Sequence, residues 1–289
     1  MTLYKYLQKE RIDVLQNREI RFTQAAALND PFEINPYLDT LVRRSTLTAR
    51  FAATPPDPTP NLIEWYSHLP PEQKKRLPLD DVLRAAKEWM SSAEGKRQLE
   101  ELIGIAADAM KEVTEETRDS LFRRLRTEIG ILSLSEIADG ALLWAHYASD
   151  HQGFVIGFDE SSRLLNSPRA PQDEFFRTRK VNYTTPVEFA DLEDLANHNL
   201  LISKAPDWEH EREWRVLVPI TAATRTIAAP DPIHLVAFDP SAIQTVILGT
   251  RATADFELAI KQALSIPEYS HVSLRRARLD RRASRIAIT

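Results

Sequence analysis

The chain has 289 residues, of which 43 % are hydrophobic and 27 % are charged, with a formal net charge of −5 and no cysteine. This length fits one large domain or a domain that carries an insertion, and this composition argues against extended disorder. Without cysteine, the chain has no disulfide, no thiolate nucleophile and no thiolate metal site. No apolar run is long enough to predict a membrane span, and the N-terminal residues lack the apolar core of a secretory signal, so we expect a cytoplasmic protein.

The N-terminal residues predict a strand, a helix and a second strand. YKYL is the first strand, ERIDVLQN the helix and EIRFTQ the second strand, and the loop AALNDPFEINP follows. In that loop, Asn29 and Asp30 are typical of a turn in which they bond the local backbone, and they can equally contact a ribose or an amide. Tyr4, Lys5 and Tyr6 suit a phosphate-bearing ligand, and they also suit a first strand that packs on a sheet.

Residues 40–127 predict a helical insertion. Prolines in TPPDPTP, LPPEQ and RLPLD prevent one continuous helix. The segments LDDVLRAAKEWM, QLEELIGIAADAMKEV and TRDSLFRRLRTEI each place apolar residues at helical spacing. We expect several helices here, inside a single domain of residues 1–289.

After Gly130, strands and helices are mixed without strict βαβ alternation, which predicts the α+β class. The predicted strands are ILSLSE, GFVIGFD, RKVNYTTPVEF, EREWRVLVPI, HLVAFDP, TVILGT and HVSLRRARLD, the last of which closes the sheet. The predicted helices are ALLWAHYASDHQ, which stops near Gly153, then DLEDLANHNLLISKAP and ATADFELAIKQAL.

The segment EREWRVL opens a predicted strand with two carboxylates. Because side chains of a strand alternate between faces, Glu211 and Glu213 would share a face, with Cα atoms roughly 6.5 Å apart. Such a pair can divide acid–base work, and their repulsion raises the pKa of one of them. Arg215, next on that face, can bind phosphate or neutralise the pair. A ladder of the same side chains facing solvent is the alternative.

Other polar side chains each allow two interpretations. Ser133 and Ser135 can donate from a strand to a ligand, or can simply be half-exposed. Trp144 and Tyr147 share a helix face and are predicted core residues, whereas His146 points elsewhere and its role stays open. Lys204 is a further candidate cation.

The C-terminal segment SLRRARLDRRASRIAIT is rich in arginine. Arg275, Arg276 and Arg278 can contact phosphates of a nucleic acid. The alternative is an edge strand whose charges prevent pairing with another sheet.

No dinucleotide-binding, phosphate-loop, hydrolase or zinc motif occurs in the chain. A group of segments instead resembles the bacterial domain-of-unknown-function 2971 family. These segments are YKY at 4–6, EIRFTQ, LNDPFE at 28–33, ILSLSE at 131–136, WAHYASDHQGFVIGFD at 144–159 and KAPDWEHEREWRVL at 204–217.

The order of these segments is also similar, more loosely, to the ADP-ribosyltransferase superfamily. That similarity implies a mixed, mainly antiparallel sheet core and NAD as the substrate. It implies that Lys5 or Arg21 holds the NAD phosphates or ribose, that Ser133 or Ser135 braces the nicotinamide ribose, and that Glu213, with Glu211, is catalytic. The full set of NAD-contacting candidates is Tyr4, Lys5, Tyr6, Arg21, Asn29, Asp30, Ser133, Ser135, His146, Tyr147 and Arg215.

The sequence therefore leaves three alternative functions. The first is an NAD-using ADP-ribosyltransferase, as a toxin or phage-defence effector that modifies a protein or nucleic acid and has an antitoxin or immunity partner. The second is a defence protein that binds nucleic acid through Arg275, Arg276 and Arg278, or acts on it with a divalent ion held by the carboxylates and Asp30. The third is a non-catalytic interaction module.

Overall fold

The computed structural model describes residues 1–30, 33–34, 40–112, 114–171, 173–185 and 200–289. The chain forms two compact units. The sheet unit comprises Met1–Pro36, Leu121–Val187 and Asn199–Thr289, and the helical unit comprises Tyr37–Ser120 and Glu188–His198. The chain is mixed α and β, as predicted; that it forms a single domain stays a prediction.

The N-terminal part of the sheet unit has the predicted order of elements. Strand β1 (Thr2–Leu7) is followed by a 3₁₀ turn, the short helix α1 (Asp13–Asn17) and strand β2 (Glu19–Gln24). Arg18 ends α1 in the left-handed conformation, with φ of 57°, and its backbone N–H donates to the carbonyl of Val14. This residue stops the helix because a left-handed residue cannot continue a right-handed helix.

The helical segments between β2 and the next strand are punctuated by prolines, as predicted. Pro71 stands in the first turn of one helix, and Pro78 immediately precedes the next, where a missing N–H costs no intrahelical hydrogen bond. The helices are α2 (Arg44–Ala53), α3 (Thr59–Ser67), α4 (Pro71–Arg76), α5 (Leu79–Ser91), α6 (Ala93–Glu112) and α7 (Thr114–Glu128).

The remaining elements build a large, mainly antiparallel sheet. The strands after α7 are β3 (Ile129–Ser135), β4 (Phe154–Asp159), β5 (Thr178–Lys180), β6 (Asn182–Tyr183), β7 (Ser203–Lys204), β8 (Glu213–Pro219), β9 (Arg225–Ile227), β10 (Ile233–Ala237), β11 (Ile243–Leu248), β12 (Ser273–Asp280) and β13 (Arg285–Ile288), and the helices are α8 (Ala141–Tyr147) and α9 (Ala254–Ala263). The strands of the large sheet run in the order β13-β12-β11-β4-β1-β3-β2-β10-β9, and β8 pairs with β3 and β5. The pair β11–β12 is parallel, and β6 and β7 form a separate two-stranded parallel sheet.

One edge of β3 is shared by two strands. Tyr4 of β1 pairs with Ser135 of β3. At the other end of β3, Thr23 and Gln24 of β2 pair with Ile131 and Gly130. The other edge of β3 pairs with β8 along its whole length. Strands β1 and β2 therefore separate beside the middle of β3, where the backbone carbonyl of Ser133 accepts a hydrogen bond from the Lys5 ammonium and not from a neighbouring strand. This separation leaves a gap beside β3.

The faces of β1 pack into different hydrophobic clusters. Leu3 and Leu7 are buried with Phe154 and Phe158 of β4, on one face of the sheet. Tyr6 is buried on the other face, where its ring meets that of Trp144 edge-on with centroids 5.4 Å apart. Trp144 is completely buried, as predicted for a core residue.

Two predicted element boundaries and one predicted strand position are wrong. The helix expected to stop near Gly153 ends at Tyr147, because Ser149, Asp150 and His151 all have positive φ. The strand expected in RKVNYTTPVEF is split into β5 and β6, and its residues from 186 lie outside the described residues. Strand β12 is not an edge strand, since β11 and β13 pair with its two sides. The helix predicted in DLEDLANHNLLISKAP falls largely outside the described residues.

Candidate functional site

The gap beside β3 opens into an inner cavity of about 250 Å³. Polar and aromatic side chains from β1, β2, β3, α8 and the segment before β8 converge on it. Of the predicted site residues, Tyr4, Lys5, Tyr6, Arg21, Asn29, Asp30, Ser133, Ser135, Tyr147, Glu211 and Glu213 line this cavity, together with Thr23, Glu33, Lys204 and Trp208.

The two predicted catalytic carboxylates do not share a strand. Glu211 ends a 3₁₀ helix that begins at Pro206, Arg212 follows in the left-handed conformation with φ of 46°, and β8 begins only at Glu213. The prediction of two side chains alternating along one strand was therefore wrong. The left-handed turn at Arg212 nevertheless brings both carboxylates to the same cavity.

Lys204 joins the two carboxylates. Its ammonium lies 2.6 Å from a carboxylate oxygen of Glu211 and 3.0 Å from one of Glu213. It also lies 4.7 Å from the centre of the Trp208 ring, within the range of a cation–π contact. Burial lowers the pKa of Lys204, whereas Glu213 and Glu211 raise it. Together the two carboxylates have the larger effect, so the net shift of this pKa is upward. The two carboxylates therefore favour the charged form of the Lys204 ammonium that joins them.

Arg215 holds Glu213 from behind the cavity. Its guanidinium donates to both oxygens of Glu213, at 2.8 and 3.1 Å, to the carboxylate of Glu33, and to the carbonyl of Leu201 at 2.9 Å. The side chain is completely buried and does not line the cavity. These contacts with two carboxylates favour the neutralising role of Arg215, and its predicted role in phosphate binding stays a prediction.

Burial raises the pKa of Glu213, while Lys204 and a hydrogen bond from Ser133 act to lower it. The Glu213 backbone N–H donates to the hydroxyl of Tyr183 at 2.7 Å, which anchors the start of β8. These contacts from Lys204, Arg215 and Ser133 hold the carboxylate in one orientation at the cavity wall.

Tyr147 and Ser135 orient Glu211. The Tyr147 hydroxyl donates to a Glu211 carboxylate oxygen at 2.6 Å, and the Ser135 hydroxyl donates to the Glu211 backbone carbonyl at 2.7 Å. Tyr147 was predicted both as a core residue and as a ligand contact. It is partly buried, packs against the hydrophobic cluster that contains Tyr6 and Trp144, and also lines the cavity, so its position agrees with both predictions in part.

A second, outer cavity of about 550 Å³ shares Tyr6, Arg21, Asn29 and Tyr147 with the inner one. Arg11 and the exposed His146 belong to the outer cavity only. The Nε of Arg21 is buried and, among the described residues, has no hydrogen-bond acceptor. Burial, and then the charge of Arg11, lowers the pKa of Arg21. The outer cavity is therefore lined by two arginines, of which Arg11 is paired with Asp13 at 3.0 Å.

The three C-terminal arginines line neither cavity. Arg276 donates to a carboxylate oxygen of Glu257 at 2.6 Å, and Arg275 donates to the carbonyl of Ile288 at 3.0 Å. Arg275 and Arg278 are exposed. Any nucleic-acid contact made by these residues would thus occur away from the carboxylates.

Sequence reasoning missed Glu33, Trp208 and Tyr183 as parts of the site. Glu33 belongs to the LNDPFE segment and Trp208 to the KAPDWEHEREWRVL segment, so the similarity of these segments to the family could have pointed to both residues. Tyr183 stands in a short strand, and no local pattern marks it.

Residues 143–216 match the model of a family described as protein of unknown function (DUF2971). This match supports the predicted resemblance to that family, and it contains Lys204, both carboxylates and Arg215. No curated protein matches the chain, and no solved structure matches it. Among the described residues, no helix has the length and apolar character needed to cross a membrane.

Proposed function

We propose that the sheet unit is an enzyme that uses NAD⁺ and transfers ADP-ribose to a protein or a nucleic acid. One observation carries this proposal: two buried carboxylates from different local structures meet at one ammonium in the wall of a cavity. Cleavage of the nicotinamide–ribose bond places positive charge on the ribose, and a fixed carboxylate stabilises that charge best in a site shielded from water.

The reaction needs a stabilising group and an orienting group. The bond between ribose C1′ and the nicotinamide nitrogen breaks, and its electron pair leaves with nicotinamide. The nucleophile then bonds to C1′ and loses its proton. Glu213, which Arg215 and Lys204 hold in place, suits stabilisation of the ribosyl cation. Glu211, held by Tyr147, suits orientation of the nucleophile or a ribose hydroxyl.

The sizes and charges of the two cavities suit a dinucleotide that lies partly in the inner cavity and partly in the outer one. The inner cavity, about 250 Å³, lies just below the ~300–1,000 Å³ of typical small-molecule sites, so it suits part of a dinucleotide. The outer cavity shares Arg21 with the inner one and adds Arg11, which is paired with Asp13, and these two arginines suit the pyrophosphate. Of the two residues predicted for the phosphate position, Arg21 fits better, because the Lys5 ammonium donates to the Ser133 carbonyl at 2.9 Å.

Release of nicotinamide from NAD⁺ tests the proposal directly. We expect Glu213→Gln to lower the rate by about a hundredfold, because it removes the charge that faces the ribosyl cation. Glu209→Gln is the matched control, since Glu209 lies in the same 3₁₀ helix as Glu211 but is exposed. Labelled NAD⁺ with candidate proteins and nucleic acids then identifies the acceptor.

Nicotinamide release that is equal in wild type and Glu213→Gln would overturn the assignment of Glu213, and absence of NAD⁺ turnover with every acceptor would overturn the function. A thermal unfolding curve of each variant separates loss of activity from loss of folding. Tyr147→Phe gives a milder second variant, which removes one hydrogen bond from Glu211.

Nucleic-acid binding is the second candidate, because Arg275 and Arg278 are exposed on β12. Binding that weakens steeply with salt in wild type, and less so in a variant with both arginines replaced by glutamine, would support it. The metal-dependent form of this function has less support. Lys204 and Arg215 already occupy the carboxylates, and the described residues contain no group of three metal-ligating side chains.

A further inference from the structure

The inner cavity contains two lysines with different partners. Lys204 lies within 3.0 Å of two carboxylates. The Lys5 ammonium instead donates to a neutral acceptor, the backbone carbonyl of Ser133, at 2.9 Å. Among the ion pairs formed by the described residues, none includes Lys5. Within the part of the chain that the structure describes, Lys5 thus lies at the cavity wall without an ion-pair partner of its own.

The surroundings of Lys5 increase the fraction of its amine that is neutral, compared with an exposed lysine. Burial lowers the pKa of Lys5 to about 8, Glu213 and Glu211 oppose this, and Arg11 and Arg21 add to it. The same two carboxylates contact Lys204 directly, and there their effect on the pKa exceeds that of burial, so the pKa of Lys204 is raised. A lysine that is desolvated beside other cations is a nucleophile near neutral pH, whereas an ion-paired lysine is not.

We propose that Lys5 is a covalent ligand site, where a small aldehyde or ketone that carries an anionic group forms an imine. The neutral Nζ attacks the carbonyl carbon and a C–N bond forms. The carbonyl oxygen then leaves as water with the two hydrogens of the amine, so the step needs no oxidant or reductant. This inference does not rest on ADP-ribose transfer, since it involves neither NAD⁺ nor the nicotinamide bond.

The anionic group is inferred from the outer cavity. Arg21 lines both cavities, and its buried Nε has no acceptor among the described residues. A phosphate or carboxylate on the ligand would give this nitrogen an acceptor while the carbonyl group reaches Lys5. The charge of Arg11 also acts on Lys5 and Arg21, but Arg11 is paired with Asp13 at 3.0 Å, so Arg21 is the inferred partner of the anionic group.

Borohydride trapping tests the site with two probes that differ in one group. Pyridoxal 5′-phosphate carries an aldehyde and a phosphate, and pyridoxal lacks the phosphate. We expect reduction with low pyridoxal 5′-phosphate to give one adduct per chain, located at Lys5 by peptide mapping. Pyridoxal should label Lys5 about tenfold less, the loss expected for one charge-assisted hydrogen bond.

The controls use Lys9, an exposed lysine in the 3₁₀ turn that follows β1. Lys9→Arg should keep the adduct and Lys5→Arg should lose it. Peptide mapping of wild type decides the question even if Lys5→Arg does not fold. Labelling of Lys5 no faster than of Lys9, or labelling of Lys204 in its place, would overturn the proposal. Equal labelling of Lys5 by the two probes would overturn the anionic group.

Discussion

The ion pairs of the sheet unit and those of the helical unit use the same kinds of side chain in opposite environments. In the helical unit, Arg97 and Glu94 lie 2.7 Å apart with side chains 65 % and 52 % exposed. In the sheet unit, Lys204 and Glu213 lie 3.0 Å apart with side chains 7 % and 4 % exposed. Exposed pairs are solvated in either state and contribute little, whereas a buried charge without its partner is costly. The comparison distinguishes exposed ion pairs on a helix surface, which contribute little to stability, from buried ion pairs that position the side chains of the cavity.

Removal of Lys204 should have the largest effect. Lys204→Met leaves Glu211 and Glu213 buried without their shared cation, and we expect the free energy of unfolding to fall by about 3–5 kcal/mol. Lys75→Met is the matched control, since Lys75 pairs with Glu72 on an exposed helix surface. Urea denaturation of both variants measures the difference. Similar losses in the two would contradict the comparison.

The pH dependence of stability should reveal Lys5. The pKa of Lys5 is lowered from 10.5 to about 8 in the folded chain, so between these values the unfolded chain binds more protons than the folded one. Stability therefore rises with pH, on the order of 1 kcal/mol per pH unit from this group. The window for measurement is pH 8 to about 10, because above it the tyrosines, whose pKa values are raised from 10.0, oppose the rise. A series of urea unfolding curves should show this slope in wild type and a flatter one in Lys5→Met; identical slopes would refute the assignment.

A smaller effect is expected from Tyr147→Phe, which removes one hydroxyl that contacts the buried carboxylate of Glu211. The Tyr147 hydroxyl donates to Glu211 at 2.6 Å, and its loss should lower the free energy of unfolding by about 1–3 kcal/mol, as for a hydrogen bond to a charged group. Tyr66→Phe in the helical unit is the control, because the Tyr66 hydroxyl donates to the neutral carbonyl of Lys74. Thermal unfolding should show the larger shift for Tyr147→Phe.

The smallest effect tests the exposed side. Glu94→Gln removes the partner of Arg97 on the surface of α6, and we expect no measurable change in the midpoint of urea unfolding. Glutamine keeps the shape of the side chain and has good helix propensity, so the change removes only the exposed ion pair and the weak, solvent-screened interaction of Glu94 with the first turn of α6. A clear drop in the midpoint would mean that the exposed pairs contribute more than solvent screening allows.

Much of the fold could be predicted from local patterns. The order β1–α1–β2, the proline-punctuated helices and the core position of Trp144 all follow from the spacing of apolar residues and from residues that start or stop helices. The membership of the cavity was also largely predictable, since Lys5, Arg21, Ser133, Glu211 and Glu213 were all predicted site residues. The resemblance to a family, and not spacing alone, selected them.

The local pattern failed where backbone conformation or distant contacts decide. Glu211 and Glu213 read as neighbours on one strand, but the left-handed Arg212 separates a 3₁₀ helix from β8 between them. The helix ending at Tyr147 could not be bounded, because three consecutive residues with positive φ carry no glycine to mark them. The role of Tyr183 could not be predicted either, because it depends on a distant contact: the Tyr183 hydroxyl accepts a hydrogen bond from the backbone N–H of Glu213.

The sequence by itself determined the α+β class, the charged residues available to a site and the ion pairs of the helices, since these depend on residues a few positions apart. The tertiary structure alone decided which charges are buried together. It paired Arg215 with Glu33, which is 182 residues away, and it gave Lys204 two carboxylates while leaving Lys5 a carbonyl. The physical reason is that burial and the distance between charges set both partner and pKa, and neither quantity exists until β1, β3 and β8 are side by side.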